Sequence, residues 1–245
     1  MLKKELMNLD ACVMQANLHI HTDEIQTAEV ICNQAIKLNP DHALAHHALG
    51  TVYQRSNRPD DAIAEFCHAI RLRPNFSNAH LFLANALAAR QDDGSAESHF
   101  LKALELEPGL LGAITGLGEL YTRSGRFSEA ISLYRKGLES HPHSDIILAA
   151  LGEALSGHGN LDEARTVLER AIRIAPDSYK ANFSLGNLLT KLGDFDAAVT
   201  CYSKASESRD DDGYAVGAIA QILERRGDFD RARQLLQPYI ELGSS

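Results

Sequence analysis

The sequence predicts an all-α solenoid of about seven helix–turn–helix repeats, and three observations carry that expectation. Pro40, Pro74, Pro108, Pro142 and Pro176 are each 34 residues apart, and one further step lands on Asp210. Small residues recur on the same period. Between them, each period holds two apolar patterns at helical spacing, joined by a short polar or Gly-containing turn. Proline inside a helix costs about 3 kcal/mol, so each of these five prolines reads as the end of a helix.

Counted from Leu9, the frames are 9–42, 43–76, 77–110, 111–144, 145–178, 179–212 and 213–245, a single solenoid of seven repeats. Residues 1–8 read as an N-terminal extension that continues into the first helix. Numbering slots within each frame, the first frame has small residues at slots 8, 20 and 27 (Ala16, Ala28, Ala35), but Gln15 where the second and fourth frames carry Leu and His19 where they carry Tyr. The second carries Leu49-Gly50, Tyr53, Ala62, Phe66, Ala69 and Pro74. In the third the small slots are Ala84, Ala96 and Ala103. The fourth reads Leu117-Gly118, Tyr121, the turn RSGRF (123–127), Ala130, Tyr134, Gly137 and Pro142. Gly152, Ala164 and Ala171 mark the fifth, and Gly186, the turn KLGDF (191–195), Ala198 and Ala205 the sixth. The seventh keeps Ala220, RRGDF (225–229) and Ala232. It departs with Tyr239 in a small slot, Pro238 inside its second helix and Ser244 in the proline slot. Small residues are needed where two helices of a hairpin approach most closely. A larger side chain there would overpack at about 1–3 kcal/mol.

This pattern resembles the tetratricopeptide repeat family over nearly the whole chain. The resemblance implies a right-handed superhelical solenoid. It also implies a non-catalytic protein–protein interaction scaffold, with the first helix of every repeat lining a concave groove that binds a peptide or protein segment. Slots 2, 5, 9 and 12 then face the groove. The ninth slot is polar throughout: Asn17, Thr51, Asn85, Glu119, Glu153, Asn187 and Gln221. Asn85 and Asn187 are suited to bonding a peptide backbone, because an amide both donates and accepts. His47 with Leu44, Leu81, and Phe183 with Tyr214 supply apolar patches that read either as anchor pockets or as isolated apolar groups. Asn78, Thr115, Glu119 and Glu153 complete the candidate peptide-binding set with Asn17. Gly112 and Gly116 read either as a shallow recess or as a loosened helix. Two binding modes of the family lack their residues here. The fifth slot has no Lys or Arg for a carboxylate clamp, and the sixth has no Asn for an asparagine ladder. Arg55, Arg123, Lys191 and Arg225 share the thirteenth slot, as a basic rail or as cations meeting the helix dipole.

Composition narrows the function classes. With 33 acidic against 24 basic residues and a formal charge of −9, the chain is a poor ligand for a phosphate backbone, so no nucleic-acid partner is expected. No apolar stretch reaches the roughly 18 residues that cross a bilayer, and the start has no continuous apolar core. No membrane partner is expected, and cytoplasm is the expected location. Cys12, Cys32, Cys67 and Cys201 form no C-x-x-C and read as small buried thiols. His19/His21 and His141/His143 are two apart and diverge on a helix. His42 precedes the expected helix start, and His46 and His80 share the fourth slot, a packing position. No metal or cofactor is expected. No nucleophile, zinc-protease or phosphate-cradling motif occurs, so no enzymatic activity is expected of these residues. Asn75-Phe76-Ser77 and Asn182-Phe183-Ser184 match the glycosylation pattern by chance. The last helix carries Leu235, Leu236, Ile240 and Leu242 without a further helix to cover them. That points to a fragment of a longer protein, to a homo-oligomer through this end, or to a helix broken at Pro238 and folded over. A substrate-recruiting arm of a larger sulfotransferase- or glycosyltransferase-type enzyme is the alternative function.

Overall fold

The computed structural model describes residues 2–208 and 213–242, so Asp210 and Ser244 lie outside the described residues. Among those described are fourteen helices. The first helices of the frames are α1 (Leu2–His21), α3 (Ala43–Arg55), α5 (Ser77–Ala89), α7 (Leu111–Arg123), α9 (Asp145–His158), α11 (Tyr179–Leu192) and α13 (Gly213–Arg225). The second helices are α2 (Ile25–Leu38), α4 (Pro59–Leu72), α6 (Asp93–Leu106), α8 (Phe127–Ser140), α10 (Leu161–Ile174), α12 (Phe195–Glu207) and α14 (Phe229–Leu242). The chain forms two compact units, Met1–Leu120 and Tyr121–Ser245. In the first unit, α1 packs on α2, α3 on α4 and α5 on α6, each pair leaning on the next. In the second, α9 packs on α10, α11 on α12 and α13 on α14 in the same way.

Burial follows the period. Every residue of slots 8 and 20, from Ala16 and Ala28 to Ala220 and Ala232, is buried. Slot 27 is buried six times over, and the exception is Tyr239. The reason lies in the twenty-fourth slot, where a large side chain from the second helix lies on the backbone of the first. A Cβ added at Gly50 would stand 2.6 Å from the Phe66 ring. At Gly152 it would stand 2.4 Å from Leu168, and at Gly186 2.6 Å from the Tyr202 ring. In the third frame slot 8 is Ala84, and there Gly116 supplies the missing space: its Cβ would stand 2.5 Å from Phe100. A Cβ at Gly112 would meet Leu81 at 2.9 Å. The space beside both helix glycines is therefore filled from within the protein, which corrects the recess reading.

The turn inside each hairpin obeys one rule. Slot 15 is left-handed in all seven frames, with φ of 62° at Asp23, 56° at Asn57, 63° at Gln91, 73° at Gly125, 97° at Gly159, 82° at Gly193 and 79° at Gly227. The following amide then reaches back five residues to a helix-end carbonyl, from Glu24 to His19, Arg58 to Tyr53 and onward to Asp228 to Leu223, at 2.8–3.0 Å. This is the Schellman closure, which satisfies carbonyls that the ended helix leaves without partners. Asp92, Asp194 and Asp228 then cap the next helix through their carboxylates.

The five prolines end the second helices as expected. α2, α4, α6, α8 and α10 stop two residues before Pro40, Pro74, Pro108, Pro142 and Pro176, because the residue before a proline is driven out of the helical region. Asn39, for example, has φ −143° and ψ 96°. Three proline carbonyls are held by the fourth slot of the next frame. His46 Nε2 donates to Pro40 O at 2.8 Å, His80 Nε2 to Pro74 O at 3.0 Å, and Asn182 Nδ2 to Pro176 O at 2.8 Å. His46 Nδ1 meets Glu65 Oε2 at 2.6 Å. With acceptors on both sides, the His46 ring holds both protons. Burial pulls its pKa down, but the bonds to Glu65 and Pro40 outweigh burial, and the net shift is upward. His80 Nδ1 instead meets His99 Nδ1 at 2.9 Å. One imidazole donates there and the other accepts, and burial together with His80 lowers the His99 pKa.

Two further expectations are corrected. Cys67 is exposed, since its slot points outward from α4, while Cys32 is buried and its thiol is pushed up to about 12 by burial and by Glu29. Pro238 does not break α14, which runs through it to Leu242. The carbonyl it leaves unpaired belongs to Gln234, an exposed residue that water can reach. The side chains of Ile240 and Leu242 lie outside the described residues.

Gln91 is the one left-handed turn residue that is neither glycine nor a short Asx side chain. Gln91→Gly is expected to raise stability by about 1 kcal/mol, read as an upward shift of the urea midpoint. Ala130, with no exposed surface, is expected to tolerate no large side chain. Ala130→Trp should broaden and lower the urea transition, and an unchanged curve would show that slot 20 is not at the helix contact.

Candidate functional site

The structure places the candidate residues on first helices, with varied exposure. In the first unit, Asn17, Asn78, Asn85 and Glu119 are exposed, Leu44, His47 and Thr115 are half-buried, and Leu81 is buried. In the second, Glu153, Asn187 and Tyr214 are exposed and Phe183 is half-buried. The ninth slot faces outward, as its polarity requires. The fifth slot mostly does not: Val13, Leu81 and Ala149 are buried. It forms the floor between first helices rather than a row of free anchors. Thr115 Oγ1 donates to the Leu111 carbonyl of its own helix at 3.0 Å, which occupies its hydroxyl proton. Asn85 makes no hydrogen bond among the described residues.

Three of the candidates meet in one place. A cavity of about 460 Å³ opens between α11, α12 and α13, lined by Phe183, Asn187, Thr190, Tyr202, Tyr214 and Arg225. Its apolar side is an aromatic array. The rings of Tyr179 and Phe183 stack at 5.5 Å, and Phe183 meets Tyr202 edge-on at 5.5 Å. Its polar side is fixed from below. Tyr202 donates its hydroxyl to Asn187 Oδ1 at 2.8 Å, while Thr190 donates to the Gly186 carbonyl at 2.9 Å. Asn187 is thus oriented by a second-helix tyrosine, a residue not singled out from the sequence. The signal that could have found it is a tyrosine in the twenty-fourth slot, where the second, third and fifth frames carry Phe or Leu.

The thirteenth-slot cations divide. Arg55 pairs with Asp23 Oδ1 at 3.3 Å, and Lys191 donates to the Ser156 carbonyl at 2.7 Å in the last turn of α9. The lysine contact is the dipole role. Arg225 makes no ion pair among the described residues and lines the cavity.

His47 occupies a second aromatic setting in the first unit. Its ring lies 4.9 Å from Phe76, 5.0 Å from Phe82 and 5.7 Å from Phe66. Its Nε2 is buried without a hydrogen-bond partner. Burial alone lowers its pKa to about 4. It is a neutral component of an aromatic cluster and offers no charge to a ligand at neutral pH. Among the described residues, no group of three or more His, Cys, Asp or Glu is placed to hold a metal ion. No described helix is long and apolar enough to cross a membrane.

The family model described as Cilia and flagella-associated protein 70 C-terminal domain matches residues 2–221. A model described as Tetratricopeptide repeat matches residues 217–238. Among curated proteins none matches the chain. A tetratricopeptide repeat protein of known structure from Parabacteroides merdae is 15% identical, with a TM-score of 0.79 over 97% of this chain and 94% of that one. The pilF protein of Pseudomonas aeruginosa is 16% identical, with a TM-score of 0.74 over 89% of this chain and 97% of that one. YrrB, described as a tetratricopeptide repeat protein with an unusual peptide-binding site, is 19% identical, with a TM-score of 0.57 over 76% of this chain and 96% of that one. At these identities the likeness concerns the fold.

The His47 environment has a measurable consequence. Between the ordinary value of 6.5 and about 4, the unfolded chain binds a proton here that the folded chain refuses. Stability at this site is therefore full above pH 6.5 and falls as pH is lowered toward 4, by about 3 kcal/mol in all. His47→Leu is expected to lose less urea stability than the wild type between neutral pH and the acid end of that range. Equal losses would mean that the ring reaches water in the folded state.

Proposed function

Because the chain belongs to the tetratricopeptide repeat family described by the Cilia and flagella-associated protein 70 C-terminal domain, we propose that it is a non-catalytic scaffold that binds a peptide or protein segment along its first helices. One observation carries this reading. Phe183, Asn187 and Tyr214 were singled out by slot alone, from two different frames, and they line one cavity. An aromatic floor beside a fixed amide is suited to an extended segment, with side chains anchored by ring contacts and the backbone held by hydrogen bonds. The described peptide-binding site of YrrB, on a similar fold, is in keeping with this use.

The reading is tested by affinity capture from source-cell extract with mass-spectrometric detection. The wild type is compared with Phe183→Ala/Tyr214→Ala and with Thr166→Ala, an exposed position on α10. Partners are expected to be lost from the double variant alone, at unchanged helicity by circular dichroism. Partners retained by the double variant would move binding away from the first helices.

A further inference from the structure

We propose that the cavity between α11 and α13 recognises an acidic side chain adjoining an aromatic one, carried within an extended peptide that runs past the cavity. This inference rests on the scaffold reading and names the chemistry of its ligand.

Asn187 already accepts from the Tyr202 hydroxyl through its Oδ1 at 2.8 Å, which turns its Nδ2 away from Tyr202. Its Nδ2 protons have no partner among the described residues, so the amide that could serve either way is set as a donor. Arg225 adds a guanidinium, which only donates. Among the described residues that line it, none is Asp or Glu. In a chain with 33 acidic and 24 basic residues, the described lining thus stands apart: it holds one cation, an oriented donor and no carboxylate. A ligand that satisfies it brings acceptors and negative charge.

The adjoining surface is aromatic. Phe183 is held between Tyr179 and Tyr202, and Tyr214, 80% exposed, stands opposite on α13. A planar side chain inserted here gains ring contacts on both sides. Between them, Gly217 has no heavy atom within 4 Å of where its Cβ would stand. That bare stretch of α13 leaves the passage open, so a segment continues across it rather than ending in it. An internal carboxylate side chain, not a chain terminus, is the fitting occupant.

The test uses the full chain and a display library of randomised dodecapeptides flanked on both sides. Selected sequences are resynthesised with capped termini and measured by fluorescence polarisation. Expected are sequences with Asp or Glu beside Phe, Tyr or Trp, bound about tenfold more weakly by Arg225→Gln and by the peptide with its acid changed to the amide. Added salt should weaken the same peptides. Because Asp210–Asp212 precede the cavity in sequence, D210S/D211S/D212S is measured too. Unchanged or tighter binding upholds the proposal, whereas loss overturns it. Neutral or basic peptides that depend on Phe183 but ignore Arg225→Gln would overturn the proposal and leave the scaffold reading standing. Binding that requires a free C-terminal carboxylate would do the same. Selected peptides indifferent to Phe183→Ala and Asn187→Ala, or no enrichment at all, would overturn both.

Discussion

Three of the hairpins depend on a large side chain laid directly on a helix backbone. Phe66 on Gly50, Leu168 on Gly152 and Tyr202 on Gly186 leave no room for a single methyl group. Interiors are packed as densely as crystals, so this contact sets the distance between the two helices and the depth of everything around it. The buried alanines of slot 20 are the other side of the same approach. The requirement is for space and not for glycine at one position. Where Ala84 fills slot 8, the space appears at Gly116 in the next frame, under Phe100. One frame's tolerance is bound to its neighbour's sequence, as nearest-neighbour packing in a repeat array demands.

This constraint explains what could be read from the sequence. A contact that recurs with every turn of chain leaves a periodic trace, so the small slots, the large slot-24 side chains and the five proline stops were legible without any structure. So was the polar ninth slot, which faces outward. What escaped was set by contacts without a period. Gly112 and Gly116 look like openings in the sequence, yet each is filled by a side chain from the preceding frame. Leu81 reads in the sequence either as an anchor pocket or as an isolated apolar group on the groove, yet it is buried. The left-handed turn was visible at Gly125, Gly159, Gly193 and Gly227 but hidden at Asp23, Asn57 and Gln91, whose side chains do not announce a positive φ.

The cavity joins packing to recognition. Tyr202 is first a packing residue, pressed onto Gly186. Its hydroxyl then emerges beside Asn187 and settles which end of that amide faces outward. A hydrogen bond made in the hairpin thus selects what the surface can bind. The same period that fixes the fold also repeats the platform, whereas the donor set at Arg225 and Asn187 belongs to this place alone. Shape is shared among repeats and chemistry is local, which is why membership of a repeat family identifies a kind of surface rather than a partner.

The joints between successive frames show that division in another form. Pro40 and Pro74 are pinned by imidazoles, and Pro176 by an amide. The three pins are equivalent as geometry, each a nitrogen delivered to a carbonyl six residues back. They are not equivalent as chemistry. An imidazole exchanges protons in the range that living compartments span, and an amide does not. His46 is braced by Glu65, and although burial pulls its pKa down, the bonds to Glu65 and Pro40 carry it upward. Joints that a tracing of the backbone cannot tell apart are thus graded in their response to acid, and mechanical uniformity along this chain is a property of one pH rather than of the fold.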